Sequence, residues 1–209
     1  MFGFLKKNKG TIVGGDIAYW GLSDWWLSSF SEDEREIIRA AYNPLTTGIV
    51  RLDAGEIIHS SGDPLKFLSG LVGYLNKEPT RHLAFRIIDK MYDLDAPAIP
   101  ILSRHFAFQA ICISYYRWRD VDDFAIGGAI EACEKSLAIS KLAAEAFIIE
   151  EKFDIIPSHH CFKQYAIIEE KRGNFAKAIL LTRQAKAEGW QGDWDSRLVR
   201  LSHKMGKPV

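Results

Sequence analysis

Apolar residues recur at intervals of three and four along most of the chain from about residue 63, which is the spacing of one face of an α-helix. Leu65, Leu68, Val72 and Leu75 follow this spacing directly after Asp63-Pro64. An aspartate cap followed by proline in the first turn is typical of a helix start. The pattern therefore predicts a helix from residue 64 onward.

Similar apolar stripes predict further helices, separated by short polar or proline-containing segments. They begin near Pro79, Ile101, Ile126, Pro157, Asn174 and Asp193, with a break near Ser140. Because the connections in the second half are short, consecutive helices are expected to pack as antiparallel neighbours. Strands do not alternate with these helices in the predicted pattern. The chain is thus predicted to be all-α, an antiparallel helix-hairpin stack.

The amino-terminal part is less regular. Ser31, with Glu34 three residues later, forms a capping-box pattern for a helix that ends at Asn43-Pro44. We therefore predict an irregular segment over 1–62, with one or two short helices packed on the rest. The helical hairpin stack then covers 63–209 and ends in a carboxy-terminal capping helix.

Glycine positions indicate where the predicted fold has loops and close helix contacts. Gly14-Gly15-Asp16 lacks the Lys-Ser or Lys-Thr of a phosphate-binding loop and is predicted to be an ordinary loop. Residues 45–62 are also predicted to be a loop that has room for a small hairpin. Gly70 and Gly73, inside a predicted helix, would let a second helix approach closely.

One helix pair carries a repeat-like pattern over residues 159–190. A small residue, Ala166, lies in the first helix, and Ala178 and Ala185 lie in the second, where two helices must cross closely. Between them, Gly173-Asn174-Phe175 supplies a glycine able to end a helix and an aromatic plug for the turn. This unit resembles a tetratricopeptide repeat, with Phe162 as the aromatic near its start.

The resemblance departs from the family at three positions. Glu169 stands in place of a large aromatic, Thr182 in place of a bulky residue, and Trp190 in place of a proline. A more degenerate copy is suggested upstream by Tyr115-Tyr116 and Ala129-Ile130. The chain is also similar to bacterial proteins that end in a tetratricopeptide-like hairpin followed by a Gly-Trp and Asp-Trp cap, a similarity that implies no activity.

Repeats of this family normally bind peptides in the groove lined by their first helices. Carried over to the matched unit, the resemblance implies a partner-binding groove at His160, Lys163, Ile167, Glu170 and Lys171. It also implies a terminal capping helix whose outer face is kept in water by Arg197, Arg200 and Lys204.

Composition narrows the partner class. The chain has 209 residues, 47% of them hydrophobic, and 27 basic residues balance 27 acidic ones. This composition argues against intrinsic disorder, and the zero net charge argues against a nucleic-acid partner. One cluster, Arg117-Trp118-Arg119, interleaves cations with an aromatic. No stretch approaches the roughly 18 uncharged apolar residues of a membrane span. The three cysteines are an odd, sparse set that suits a reducing cytoplasm better than a disulfide framework, so we expect a cytoplasmic protein.

The three cysteines and nearby histidines are the candidate reactive groups. Cys112 and Cys133 flank a predicted turn at similar distances and could face each other, either as small core residues or as a redox pair. His105 is two turns before Cys112, too far to activate it directly. In His159-His160-Cys161, adjacent helical residues point in different directions. We therefore predict polar residues at a helix start plus one buried cysteine, with no metal or cofactor.

Two further groups have competing interpretations. Trp20, Trp25 and Trp26 form either part of the core or an exposed anchor for a partner. The paired glutamates Glu150-Glu151 and Glu169-Glu170 are predicted to lie on solvated helix faces.

The hypothesis that best fits the whole sequence is a non-catalytic adaptor or scaffold that recognises a protein or peptide segment. One alternative is a helical metal-dependent hydrolase with a site near His159 and His160. Another is a regulatory partner of a neighbouring gene product.

Overall fold

The protein is described from a computed structural model that covers residues 12–44, 52–149 and 155–206. These residues form helices joined by loops, with one isolated bridge between Ser158 and Gln191 and no β-strand among them. The all-α prediction is confirmed. The helices of the described residues are α1 (Gly15–Tyr19), α2 (Ser23–Ser29), α3 (Glu32–Ala41), α4 (Pro64–Leu75), α5 (Arg81–Leu94), α6 (Ile101–Arg117), α7 (Ala125–Ala138), α8 (Ser140–Ile149), α9 (His160–Lys171), α10 (Phe175–Ala187) and α11 (Trp194–Met205).

Side-chain caps set several of the predicted helix starts. Ser31 Oγ accepts from the Glu34 backbone N–H, while the Glu34 carboxylate accepts from the Ser31 N–H, so the capping box that precedes α3 is formed. The Asp63 carboxylate accepts from the Lys66 N–H at 3.1 Å at the start of α4. The predicted break near Ser140 separates α7 from α8.

The prediction of a loop at Gly14-Gly15-Asp16 is wrong, because Gly15 begins α1. The first N–H groups of that helix are satisfied by a following loop: Gly14 donates to the Asp53 carbonyl and Ile17 to the Leu52 carbonyl, at 2.8 and 2.9 Å. Before residue 63 the described residues hold three short helices, where one or two were predicted. Residues 45–51 of the predicted loop lie outside the described residues.

From α4 onward, several helices pack against the helix that follows them in the chain. The helix pairs α4/α5, α6/α7, α9/α10 and α10/α11 are in contact. The first helices of successive pairs also contact each other, α4 with α6 and α6 with α9. Helix α9 additionally packs on α7, so that α6, α7 and α9 surround a common interior.

The glycine that meets a neighbouring helix is not one of the two that the sequence predicted. Gly70 and Gly73 are exposed, and a Cβ built on either would have no neighbour within 4 Å. A Cβ on Gly128 of α7 would instead lie 2.8 Å from the Tyr115 ring on α6. Gly128 therefore lets α6 and α7 pack closely.

The core interpretation of the amino-terminal tryptophans agrees with their burial. Trp26 is fully buried, and Trp20 and Trp25 are half-buried against the main core. A second, smaller apolar cluster joins α10 to α11 through Ile179 and Leu201. No helix in the described ranges combines the length and apolar character needed to cross a bilayer.

Candidate functional site

The face of α9 that was predicted to bind a partner is divided between two neighbours. Glu170 is turned toward α11, where its carboxylate accepts from Arg200 Nη2 at 2.8 Å and from Lys204 Nζ at 2.7 Å. The hydrogen bond from Arg200, followed by that from Lys204, lowers the pKa of Glu170 below its ordinary value although burial opposes the shift. Glu170 is thus engaged in an ion network within the protein.

Lys171 is turned the other way, toward the end of α6. Its Nζ donates to the Tyr116 hydroxyl at 3.3 Å. It lines a cleft of about 240 Å³ between α9 and the α6–α7 turn, together with Arg119 and Arg172. Apolar side chains of Ile126 and Ile168 complete the lining.

Positive charge is concentrated around this cleft, which we call the α6–α9 cleft. Arg119 stacks over the Tyr116 ring, 4.3 Å from its centroid, and pairs with the exposed Asp120 at 2.9 Å. Arg172 lies 3.8 Å from a Glu169 oxygen, with almost half of its own side chain exposed. Three cations and one exposed carboxylate therefore surround an aromatic ring.

Of the five predicted groove residues, Lys171 alone is in the lining of this cleft. Lys163 is exposed on α9, and His160 and Ile167 are half-buried. A wider cleft, about 970 Å³, lies between α1, the loop at 55–61 and the start of α4, and contains none of the five.

Two predictions about charged residues near the cleft are wrong. Glu169 was expected on a solvated face, but it is 2% exposed. Its carboxylate accepts from Asn174 Nδ2 at 2.7 Å and lies 3.7 Å from Lys177 Nζ, so the turn after α9 folds back over it. Glu150 and Glu151, the other predicted pair, lie outside the described side chains.

Arg197 was expected on the wet outer face of α11 and is instead 3% exposed. Its nearest carboxylates are those of Asp193 at 3.6 Å and Glu170 at 3.9 Å. Of the three predicted outer-face residues of α11, Arg197 is therefore buried, while the side chains of Arg200 and Lys204 are about half-exposed. The reason is the phase of the helix: Arg197 lies one turn before the buried Leu201.

A second candidate site lies in the interior between α6, α7 and α9. Cys112, Cys133 and Cys161 come from one of these helices each, and all three are fully buried. Their sulfurs lie within 4.8 Å of one another, and those of Cys112 and Cys133 are 3.4 Å apart. The prediction that Cys112 and Cys133 face each other is confirmed, and the third thiol joins them.

Hydrogen bonding distributes the acidity of the three thiols unequally. Burial raises the pKa of Cys161, but hydrogen bonds with Cys112 and Cys133 outweigh it and hold that pKa well below the ordinary thiol range. The hydrogen bond with Cys112, then that with Cys161 and then burial raise the pKa of Cys133.

Two imidazoles lie beside the thiols. The rings of His105 and His159 are 4.8 Å apart, and that of His105 stacks parallel to Trp190 at 5.4 Å. Burial lowers the pKa of His105 to about 4 and, together with the neighbouring His105, that of His159 to about 3. Both rings are therefore neutral at physiological pH.

His159 has a structural task at the start of α9. Its Nδ1 accepts from the Phe162 N–H at 3.3 Å, which caps the helix. Because Nδ1 is the acceptor, the proton of the neutral ring is on Nε2, and that buried atom has no hydrogen-bond partner in the described structure. The side chain is fully buried, so a substrate in solution has no direct contact with it.

The convergence of all three cysteines was missed because sequence spacing treats each helix separately. A helical phase places Cys112 on the buried side of α6, one turn from Phe108 and Tyr115, and places Cys133 on the buried side of α7. The same reasoning applied to Cys161, next to the buried Phe162, would have indicated a shared interior. Which interior it shares depends on how α9 packs.

No protein-family model, no curated protein and no solved structure matches this chain.

Proposed function

We propose that this protein is a non-catalytic helical interaction module that binds an acidic segment of a partner protein in the α6–α9 cleft. The observation that supports this most directly is the grouping of Arg119, Lys171 and Arg172 around Tyr116. The chain as a whole is neutral, so a local excess of cations is a specific feature of this surface and not a general property of the protein.

The lining of the cleft suits a peptide that combines a carboxylate with an aliphatic side chain. Arginine guanidinium groups bind carboxylates through paired hydrogen bonds, and Lys171 supplies a further donor. Ile126 and Ile168 provide apolar surface beside them. A volume of about 240 Å³ holds one or two side chains, which favours a short peptide contact over a nucleic-acid strand.

The interaction can be measured by fluorescence polarisation with a labelled peptide of repeating Leu-Glu-Glu units. We expect binding that weakens as salt is raised, and no binding of the matching Leu-Lys-Lys peptide. Lys171→Glu is expected to weaken binding by at least about tenfold. Lys141→Glu, at an exposed position on α8 outside the cleft, is the matched control and is expected to bind as the unmodified protein does.

Equal weakening by both variants would contradict the site, because it would reflect overall charge alone. Failure of the acidic peptide to bind, or stronger binding of a single-stranded oligonucleotide than of the peptide, would contradict the proposed partner class. Lys163→Glu separates the α6–α9 cleft from the remaining predicted face of α9, and we expect it to have little effect.

A further inference from the structure

The arrangement of the three buried thiols goes beyond the proposed function, because they lie in the interior and not in the α6–α9 cleft. The chain has three cysteines, and the consecutive helices α6 and α7 together with the later helix α9 bring all of them to one place. A cysteine packed merely as a small apolar residue needs no other cysteine beside it. Three sulfurs within 4.8 Å of one another form a donor set.

The spacing of the sulfurs suits a thiophilic cation. A Zn²⁺–S bond is about 2.3 Å long, so two sulfurs of a tetrahedral site lie about 3.8 Å apart. The Cys112–Cys133 distance of 3.4 Å and the 4.8 Å limit for the whole set fall on either side of that value. Small side-chain rotations would bring all three sulfurs to bonding distance of a common centre.

The surroundings contain buried donors whose acceptors are missing in the described structure. His159 Nε2 carries a proton with no partner, and the Ser136 hydroxyl, one turn after Cys133, is also without one. His159 precedes Cys161 by two residues at the start of α9. Thiolates held by a cation are hydrogen-bond acceptors, and donors of this kind orient and stabilise the ligands of a metal site.

We infer that Cys112, Cys133 and Cys161 supply three ligands of a structural Zn²⁺ site in the core between α6, α7 and α9. Binding converts three thiols into three thiolates and releases three protons, which leaves one net negative charge on the Zn²⁺–trithiolate unit. His159 Nε2–H and the Ser136 hydroxyl would partly offset that charge. The ion would link α9 to the α6–α7 pair.

Burial determines how the ion would enter. All three cysteines have zero exposure, so the folded protein presents no sulfur to solvent. The ion is therefore expected to bind as the helices assemble and then to exchange slowly. A chelator should remove it rapidly from the unfolded chain and slowly from the folded one.

Two measurements on the full chain test this site. The protein purified from cells grown with added Zn²⁺ is expected to contain one zinc per chain by elemental analysis. The protein unfolded in denaturant with a reductant and chelator, freed of chelator and then refolded with Co²⁺, is expected to show the thiolate-to-cobalt charge-transfer absorption.

Cys133→Ala keeps a small apolar residue in the core and is expected to reduce bound zinc at least about tenfold. Ala129→Ser changes a fully buried residue one turn earlier on α7 and is expected to keep one zinc per chain, which controls for disturbance of the core. If Cys133→Ala does not fold, the measurements on the unmodified chain still decide the matter.

A helical, refolded protein with neither zinc nor the cobalt absorption would overturn the site and leave three ordinary core thiols. So would the loss of two hydrogens from the mass of the native protein, since that would show a disulfide between two of the three cysteines. Neither result depends on the peptide-binding experiment, so this inference and the proposed function can fail separately.

Discussion

Gly128 of α7 lies against the ring of Tyr115 on α6, so that a Cβ at position 128 would be 2.8 Å from the ring carbons. Tyr115 cannot easily move away, because it is 7% exposed and stacks on Phe85 with ring centroids 5.0 Å apart. This contact fixes how closely α6 and α7 approach. The same approach brings Cys112 and Cys133 within 3.4 Å.

Gly128→Ala is accordingly expected to destabilise the protein. Alanine would improve the helix propensity of α7 by about 1 kcal/mol, but forcing apart a packed interface costs about 1–3 kcal/mol. The neighbouring Gly127 is exposed with open space around its Cβ position, and Gly127→Ala is expected to stabilise by up to about 1 kcal/mol. Urea unfolding measures both, and equal effects of the two substitutions would contradict the close-packing explanation.

The Glu170 network predicts a pH dependence of stability. Because the pKa of Glu170 is lower in the folded protein than its ordinary value of 4.5, the ionised form stabilises the fold. That stabilisation is fully present above about pH 4.5 and is lost as the pH falls through the lower, folded-state pKa.

Glu170→Gln is therefore expected to lower the free energy of unfolding at pH 7 by about 0.5–1 kcal/mol, since Arg200 and Lys204 are half-exposed. The difference from the unmodified protein should shrink as the pH is lowered below 4.5. Urea unfolding at a series of pH values measures this, with Glu145→Gln on the exposed face of α8 as the control. A difference that stays constant with pH would show that Glu170 does not act through its charge.

Arg197 is a buried cation with incomplete hydrogen bonding. Its Nε and Nη1 atoms have no hydrogen-bond partner in the described structure, and its nearest carboxylate oxygens are 3.6 and 3.9 Å away. Replacing a poorly paired buried charge with an apolar side chain of similar size is often neutral or stabilising.

Arg197→Met is expected to leave the free energy of unfolding unchanged or to raise it by up to about 2 kcal/mol. Arg197→Ala, which also removes the packing of the side-chain stem, is expected to lower it by about 1–3 kcal/mol. Chemical unfolding of the two variants distinguishes packing from charge. A large loss in the methionine variant would mean that the ion pairs with Asp193 and Glu170 stabilise the protein strongly.

Asp53, in the segment between α3 and α4, is hydrogen-bonded to side chains of α2 and α3. Its carboxylate accepts from Trp26 Nε1 at 3.0 Å and from Arg39 Nε at 2.9 Å. The hydrogen bond that Arg39 donates to Asp53 raises the pKa of Arg39, although burial opposes the shift. Hydrogen bonds to charged groups contribute about 1.5–3 kcal/mol each, and an unpaired buried indole N–H is costly.

Asp53→Ala is expected to lower the free energy of unfolding by about 2–3 kcal/mol. Asp53→Asn keeps an oxygen for the Trp26 N–H and is expected to lose about half as much. Tryptophan fluorescence during urea unfolding follows the change directly. If the alanine and asparagine variants are equally stable, the indole hydrogen bond contributes nothing measurable.

The sequence by itself was sufficient to predict the positions of the helices and most of the residues at which they begin and end. The spacing of apolar residues indicates which face of a helix is buried. The residue at which a helix begins depends on neighbouring side chains alone, since the Ser31–Glu34 capping box and the Asp63 cap need no distant residue. The facing of Cys112 and Cys133 also follows from local reasoning, since a single turn joins their two helices.

The tertiary structure decided which buried faces meet. Cys161 joins the other thiols because α9 packs on both α6 and α7, and no spacing in the sequence encodes that contact. Glu169 is buried because the turn after α9 folds back over it. Arg197 is buried because it lies on the face of α11 that also carries the buried Leu201. Gly128, and not Gly70 or Gly73, meets another helix, because helical phase specifies a direction for each side chain but not the neighbour found there.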